Sequence, residues 1–184
     1  DAGDTIGSGM AEANPNRVLR DLYALREIGR YKTGVHRPTL SPEDMQARHW
    51  LADALSAIGH EATIDGIANV VGRAPGAGPH LLGGSHIESQ SHAGWLDGAL
   101  GIVYALEAAR AVAEDPALAG CGVDVIAFCD EEGHFGSFLG SRSFVGELDE
   151  AAIDAAQDRS GRGALRDCLA AVGLADRPRL RLER

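Results

Sequence analysis

Residues 123–129, VDVIAFC, form an apolar run broken only by Asp124, the pattern of a strand buried on both faces. Upstream, PHLLGGSH (79–86) is a second short apolar run, and it ends in glycines. Between them, GALGIVYALEAARAVAED (98–115) places Leu100, Val103, Leu106 and Ala109 on one face and stops near Pro116, the spacing of an amphipathic helix. Strand, helix and strand in that order make a βαβ unit, whose crossover is right-handed and whose strands run parallel. The C-terminal ends of both strands then share one edge of the sheet, where sites in open α/β sheets form.

The remaining chain fits around that unit. PNRVLRDLYALREI (15–28) carries Val18, Leu19, Leu22, Leu25 and Ile28 at helical spacing, with Asn14 as a cap before Pro15. Ser41, Pro42, Glu43 and Asp44 open a second helix through Trp50, Leu51, Leu55 and Ile58, which Gly59 ends. EATIDGIANVVGR (61–73) reads as a further strand. With 184 residues, 45% of them hydrophobic, the chain suits one domain with a real core. The opening DAGDTIGSG, within residues 1–13, reads as a leader outside that domain, which takes residues 14–184. Acids outnumber bases 27 to 17 for a net charge of −10, and no basic run occurs, so neither nucleic acid nor an anionic membrane is an expected partner. Cys121, Cys129 and Cys168 are odd in number and lack CxxC spacing, which fits a reducing cytoplasm and no thiolate zinc site. No apolar run nears the roughly 20 residues of a membrane span.

The expected edge is rich in chemistry. His86 leaves the first strand, Asp97 opens the helix, and Asp130, Glu131 and Glu132 leave the second strand. Adjacent carboxylates at a buried strand end repel and lose hydration, so they need a cation, protons or arginines nearby. One imidazole with carboxylates is an N/O donor set suited to zinc, manganese, cobalt or nickel. Asp97 is the candidate bridge between two ions, and the diverging side chains of Glu131 and Glu132 would let one ligate while the other takes a proton. Each residue also has a plainer role: Asp97 as an N-cap, the glutamates as a solvated turn, His86 as a hydrogen-bonded loop histidine. His36, His49, His60 and His80 read as surface or helix residues. His92 and His134 either ligate or hydrogen-bond their loops, and Arg142 either neutralises the acidic edge or lies on a helix surface.

SHIESQSHAGWLDGALGIVYALEAARAV and DVIAFCDEEGHFGSFLGSRSF together resemble the two metal-site motifs of the M20-type metallohydrolases, in their carbamoylase and ureidohydrolase branch. The resemblance covers residues 15–182. It implies a three-layer α/β/α fold with a mostly parallel central sheet, here the N-terminal half of a dinuclear catalytic domain. It implies that His86 and Glu132 each ligate one of two divalent ions, zinc or manganese with cobalt or nickel possible, that Asp97 bridges them, and that Glu131 is the general base. Glu88, standing where the family pattern has aspartate, would orient the imidazole from behind. The implied reaction is hydrolysis of a linear amide or ureido C–N bond in an N-carbamoyl or N-acyl amino acid. The family's full site needs two more histidines and a dimerisation domain that this sequence lacks. Leu180 and Leu182 resemble the strand that leads towards the next of those histidines. A complementing C-terminal polypeptide, and an oligomer, are therefore expected; the alternative is a non-catalytic binding or regulatory module that keeps the fold.

Overall fold

A computed structural model describes residues 11–182; residues 1–10 of the expected leader lie outside the described residues. Helix α1 (Pro15–Glu27) starts where Asn14 accepts hydrogen bonds from the backbone N–H groups of Asn16 and Arg17. A short hairpin follows, β1 (Arg30–Tyr31) with β2 (Gly34–Val35). Helix α2 (Pro42–Ser56) is capped by Ser41, whose Oγ accepts from the N–H of Asp44. Both caps are the ones the sequence predicts.

The central sheet contains β3 (Glu61–Ile64), β4 (Val70–Arg73), β5 (His80–His86) and β6 (Gly122–Phe128), in the order β3-β4-β6-β5. Helix α3 (Ala99–Glu114) is the crossover between β5 and β6, which pair in parallel from His80 opposite Gly122 to His86 opposite Phe128. The α/β class and the βαβ unit are as expected. The sheet itself is mixed and not mostly parallel, since β3–β4 and β4–β6 are both antiparallel. The physical reason is the turn at 65–69, which splits EATIDGIANVVGR into two strands. Asp65 Oδ1 accepts from the N–H groups of Ile67 and Asn69, and Ala68 has φ +69°. A turn this short can join only antiparallel neighbours.

One face of the sheet, with Val70, Val123, Val125 and Ala127, packs with Leu25, Leu51, Leu55, Ile102, Val103 and Leu106 from helices α1 to α3. The other face, with Val71, Ile126 and Phe128, is covered by Leu180 and by Phe144 of α4 (Leu139–Phe144). Helices α5 (Glu150–Ala155) and α6 (Leu165–Ala171) add Ile153, Leu165 and Leu169 to the main core. Leu180 and Leu182 do not form the expected strand. Their segment is irregular, held where Leu180 N–H donates to Asp65 Oδ2 and Leu182 N–H donates to the Phe144 carbonyl. No helix among the described residues is long and apolar enough to cross a membrane.

Two arginines lie inside this core, although charge alone would place them on the surface. Arg37 donates to the carbonyls of Ile87, Leu25 and Ile28, and burial lowers its pKa. Arg48 is fully buried on α2 and donates to Asp44 Oδ2 at 2.9 Å, the Ala68 carbonyl at 2.7 Å and Glu88 Oε2 at 2.7 Å. It ties α2, the 65–69 turn and the segment after β5 together.

Candidate metal site

The parallel β5–β6 pair sets the ends of two strands side by side, so His86 and the acidic run after Phe128 emerge on the same edge. His86 is buried, and its Nδ1 lies 3.1 Å from the Glu88 carbonyl. A carbonyl only accepts, so Nδ1 carries the hydrogen, and a neutral ring keeps a lone pair at Nε2. That Nε2 is 3.7 Å from Asp97 Oδ1 and 3.5 Å from Glu131 Oε2, too far for good hydrogen bonds. Donor atoms of His86, Asp97 and Glu132 all lie within 4.8 Å of one another. The donor types suit a divalent ion, which would draw them closer together, since two donors about 2.1 Å from one tetrahedral zinc sit roughly 3.4 Å apart.

Asp97 is not a helix cap. The N-cap of α3 is Gly98, with φ +67° and ψ −54°, and the Asp97 carbonyl accepts from Ala99 N–H at 2.7 Å. Those values describe a γ-turn, strained for residues with a Cβ. A Cβ at Gly98 would also sit 2.5 Å from His86 Cε1 and from the His86 carbonyl oxygen. Glycine thus brings the chain directly against the imidazole and leaves the Asp97 carboxylate exposed beside it.

Glu88 has a different contact from the one expected. The group that meets His86 Nδ1 is its backbone carbonyl, while its carboxylate is 4.0 Å away. The fully buried carboxylate accepts from Arg48 with one oxygen and from Glu131 N–H at 2.7 Å with the other. Burial pushes its pKa up against the pull of the Arg48 guanidinium. It therefore joins the two strand ends that carry the site.

Asp130 is turned inward, with φ +57°. Its carboxylate accepts from the N–H groups of His134, Phe135 and Gly136 and from Thr39 Oγ. Burial alone would raise its pKa, but these donors and His134 hold it below the usual carboxylate value. The same anchoring leaves Glu131 two-fifths exposed at the site. Glu132 is braced by Gln90, which donates from Nε2 to Glu132 Oε2 at 3.0 Å and to its carbonyl at 2.8 Å.

The other histidines are elsewhere. His92 packs against Tyr31 and His36, with ring centroids 4.0 and 4.6 Å apart. His134 lies buried with Nδ1 3.0 Å from Thr39 Oγ. His60 is buried, not superficial, with Nε2 2.9 Å from the Val123 carbonyl. His49 Nδ1 is 2.7 Å from the Met45 carbonyl within α2, and His80 Nδ1 is 3.0 Å from Asp124 on β6. Arg142 approaches the Glu147 carbonyl and not the acidic edge. Gln90 and Arg48 escape sequence reasoning: a glutamine in a polar loop and an arginine on a helix carry no signal of their partners.

The sequence model of peptidase family M28 matches residues 69–164, which include His86, Asp97, Glu131 and Glu132. The chain is 32% identical over 170 residues to an N-carbamoyl-L-amino-acid amidohydrolase of Paenarthrobacter aurescens, covering 90% of this chain and 41% of the relative. It is 36% identical over 159 residues to allantoate deiminase 1 of Glycine max, covering 78% and 32%. A solved hydantoinase/carbamoylase family amidase from Burkholderia phymatum has a TM-score of 0.93 and 46% identity, over 96% of this chain and 44% of that one. The carbamoylase and allantoate branch is the one the motifs resemble; the matching family bears the M28 label in place of M20. The chain spans less than half the length of these curated relatives.

Proposed function

The chain belongs to peptidase family M28, and we propose that it supplies part of the active site of a metal-dependent amidohydrolase that cleaves a linear amide or ureido C–N bond. The carrying observation is the convergence of His86, Asp97 and Glu132 donor atoms within 4.8 Å, with the Glu131 carboxylate 3.5 Å from His86 Nε2. The substrate class follows from the relatives, an amidohydrolase of N-carbamoyl-L-amino acids and an allantoate deiminase.

In this proposal His86, Glu132 and Asp97 would hold the divalent ions, His86 and Glu132 each serving one and Asp97 contributing to both. Zinc and manganese suit these donors, with cobalt or nickel as substitutes. Bound there, the ions would polarise the scissile carbonyl and lower the pKa of water at the site. Glu131 takes the proton from the attacking water and passes it to the leaving nitrogen. Gln90 keeps Glu132 aimed while Glu131 remains free, and Glu88 fixes the spacing between the two strand ends. Three ligands shared by two ions fall short of the three protein ligands usual for each catalytic zinc. A complementing polypeptide with the two further histidines would complete the set. Support for such a neighbour comes from β5, which has an open edge in the described sheet and carries Leu81 and Leu82, 75% and 47% exposed.

Native mass spectrometry with metal analysis, paired with hydrolysis of N-carbamoyl and N-acyl amino acids, tests this. The expected result is a complex with about two divalent ions and turnover, in which Glu131→Gln keeps the metal and lowers kcat roughly 10²–10⁴-fold. A complex that binds no divalent metal, or full activity in Glu131→Gln, would overturn it.

A further inference from the structure

Of the side chains that converge on the proposed metal pair, Asp97 is the one without a hydrogen-bonded brace. His86 Nδ1 is held by the Glu88 carbonyl and Glu132 by Gln90. The Asp97 carboxylate is 76% exposed and 3.7 Å from His86 Nε2, beyond good hydrogen-bond range. Its place is therefore set by the chain on either side. Downstream, the Leu96 carbonyl accepts from Leu100 N–H and the γ-turn at Gly98 opens α3. Upstream, the chain leaves the paired hydrogen bonds between Ala93 and Val35 and passes through Gly94, where an added Cβ would meet nothing within 4 Å. Between Gly94 and Asp97, Leu96 is 43% exposed, and Trp95 is the side chain packed against the main core. Its indole meets two side chains of α1. The Tyr23 ring is stacked on it, with centroids 5.9 Å apart at 24°, and Arg26 Cζ stands 5.1 Å from the indole centroid. Tyr23 and Arg26 are three residues apart and so share one face of the helix. The Arg26 guanidinium is given over to this contact: its Nε is buried with no acceptor among the described residues, and the neighbouring Glu27 pairs with Arg30.

We infer that Trp95 is a positioning residue for Asp97: clasped by Tyr23 and Arg26, it delivers the carboxylate to a fixed place before any ion arrives. This rests on the function proposed above. Aromatic stacking and a cation over a ring face each contribute beyond the area they bury, and indole is the best of the rings for the cation. A segment flanked by Gly94 and Gly98 would otherwise sample many directions, and ordering it would draw on the free energy of metal binding. Helix α1 thereby acts on the site, although it supplies none of the proposed ligands.

The test is the zinc affinity of the complex proposed above, by competition with a chelator, measured beside stability in urea. Trp95→Ala should weaken zinc about tenfold or more, the scale found when the support of a ligand is removed. Trp95→Phe keeps a ring for Tyr23 and Arg26 and should recover most of the loss. Trp50→Leu is the control for lost packing, since Trp50 is partly buried against the same core from α2; it should lower stability in urea and leave zinc affinity unaltered. Tyr23→Ala breaks the same contact from a residue 53% exposed, where folding is not at stake, and should weaken zinc in the same direction. Added to Trp95→Ala it should cost nothing further, because the two rings act as one unit. Unchanged zinc affinity in Trp95→Ala, or in Tyr23→Ala should Trp95→Ala fail to fold, overturns the inference, and so does an equal loss in Trp50→Leu; the amidohydrolase proposal then still stands on its ligands. An unmodified complex that binds neither zinc nor manganese removes that proposal, and this inference with it.

Discussion

Gly98→Ala is the most searching single change, because it challenges the backbone and the site at one atom. The γ-turn at Gly98 has φ +67° and ψ −54°, a conformation that costs an L-residue about 1–3 kcal/mol. The new Cβ would lie 2.5 Å from His86 Cε1, 2.5 Å from the His86 carbonyl oxygen and 2.6 Å from Nδ1. Ordinary carbon contacts begin near 3.5 Å, so ring and carbonyl must both retreat by about 1 Å. The carbonyl belongs to β5, which is bound to β6 along its whole length, and it cannot swing aside as a surface side chain would. Forced overpacking of this kind costs about 1–3 kcal/mol more, for a total near 4 kcal/mol. In a domain of this size that lowers Tm by roughly 8–16 °C. The retreat also disturbs the Nδ1–H to Glu88 carbonyl bond that keeps Nε2 available, and loss of such support weakens metal binding about 10–100-fold. Differential scanning calorimetry and zinc titration against a chelator measure both effects. Gly94→Ala is the control, since a Cβ there meets nothing within 4 Å. If Gly98→Ala melts within about 2 °C of the unmodified protein and binds zinc equally well, the account of Gly98 is wrong.

Two further changes probe the frame of the site. Asp130→Ala strands the N–H groups of His134, Phe135 and Gly136 and the Thr39 hydroxyl, and should destabilise by about 3 kcal/mol or more in urea titration; a loss below about 1 kcal/mol would mean that water replaces the carboxylate. Burial works against ionisation of Asp158, yet Arg162 and nearby N–H groups hold its pKa at about 2, below 3.8. The folded state therefore prefers the ionised form, so this stabilisation is fully present above pH 3.8 and fades as pH falls towards about 2. Thermal melts should show Asp158→Asn about 2 kcal/mol less stable at neutral pH, with a gap that narrows over that window; a gap constant with pH would contradict the assignment.

The sequence carried the parts of this fold that depend on local pattern. The apolar run before Cys129, the helical spacing from Leu100 to Ala109 and the caps at Asn14 and Ser41 all correspond to elements found. It also brought His86, Asp97, Glu131 and Glu132 to one edge, because a parallel crossover leaves no other place for them. What it hid depends on partners distant in sequence. The hairpin between β3 and β4 is masked because Asp65 and Asn69 form their turn amid β-branched residues that read as continuous strand. Arg48 reads as a surface charge until Asp44 and Glu88 are seen to enclose it. The far end of the chain misled for a related reason: alternation at Leu180 and Leu182 predicts a strand, but Asp65 and Phe144 take its N–H groups instead of a neighbouring ladder.

The parallel register of β5 on β6 acts as the ruler of the site. His86 stands opposite Phe128, and Glu131 N–H is fastened to Glu88 two residues beyond His86. A slip of one residue would carry His86 about 3.3 Å along the sheet and turn its ring to the opposite face. No rotamer change at Asp97 or Glu132 could compensate. The dimensions of the proposed metal pair are thus stored in the β5–β6 ladder that ends at His86 and in the Glu131 N–H bond to Glu88, as well as in the ligands themselves. Substitutions that loosen that ladder should damage the chemistry before they unfold the protein.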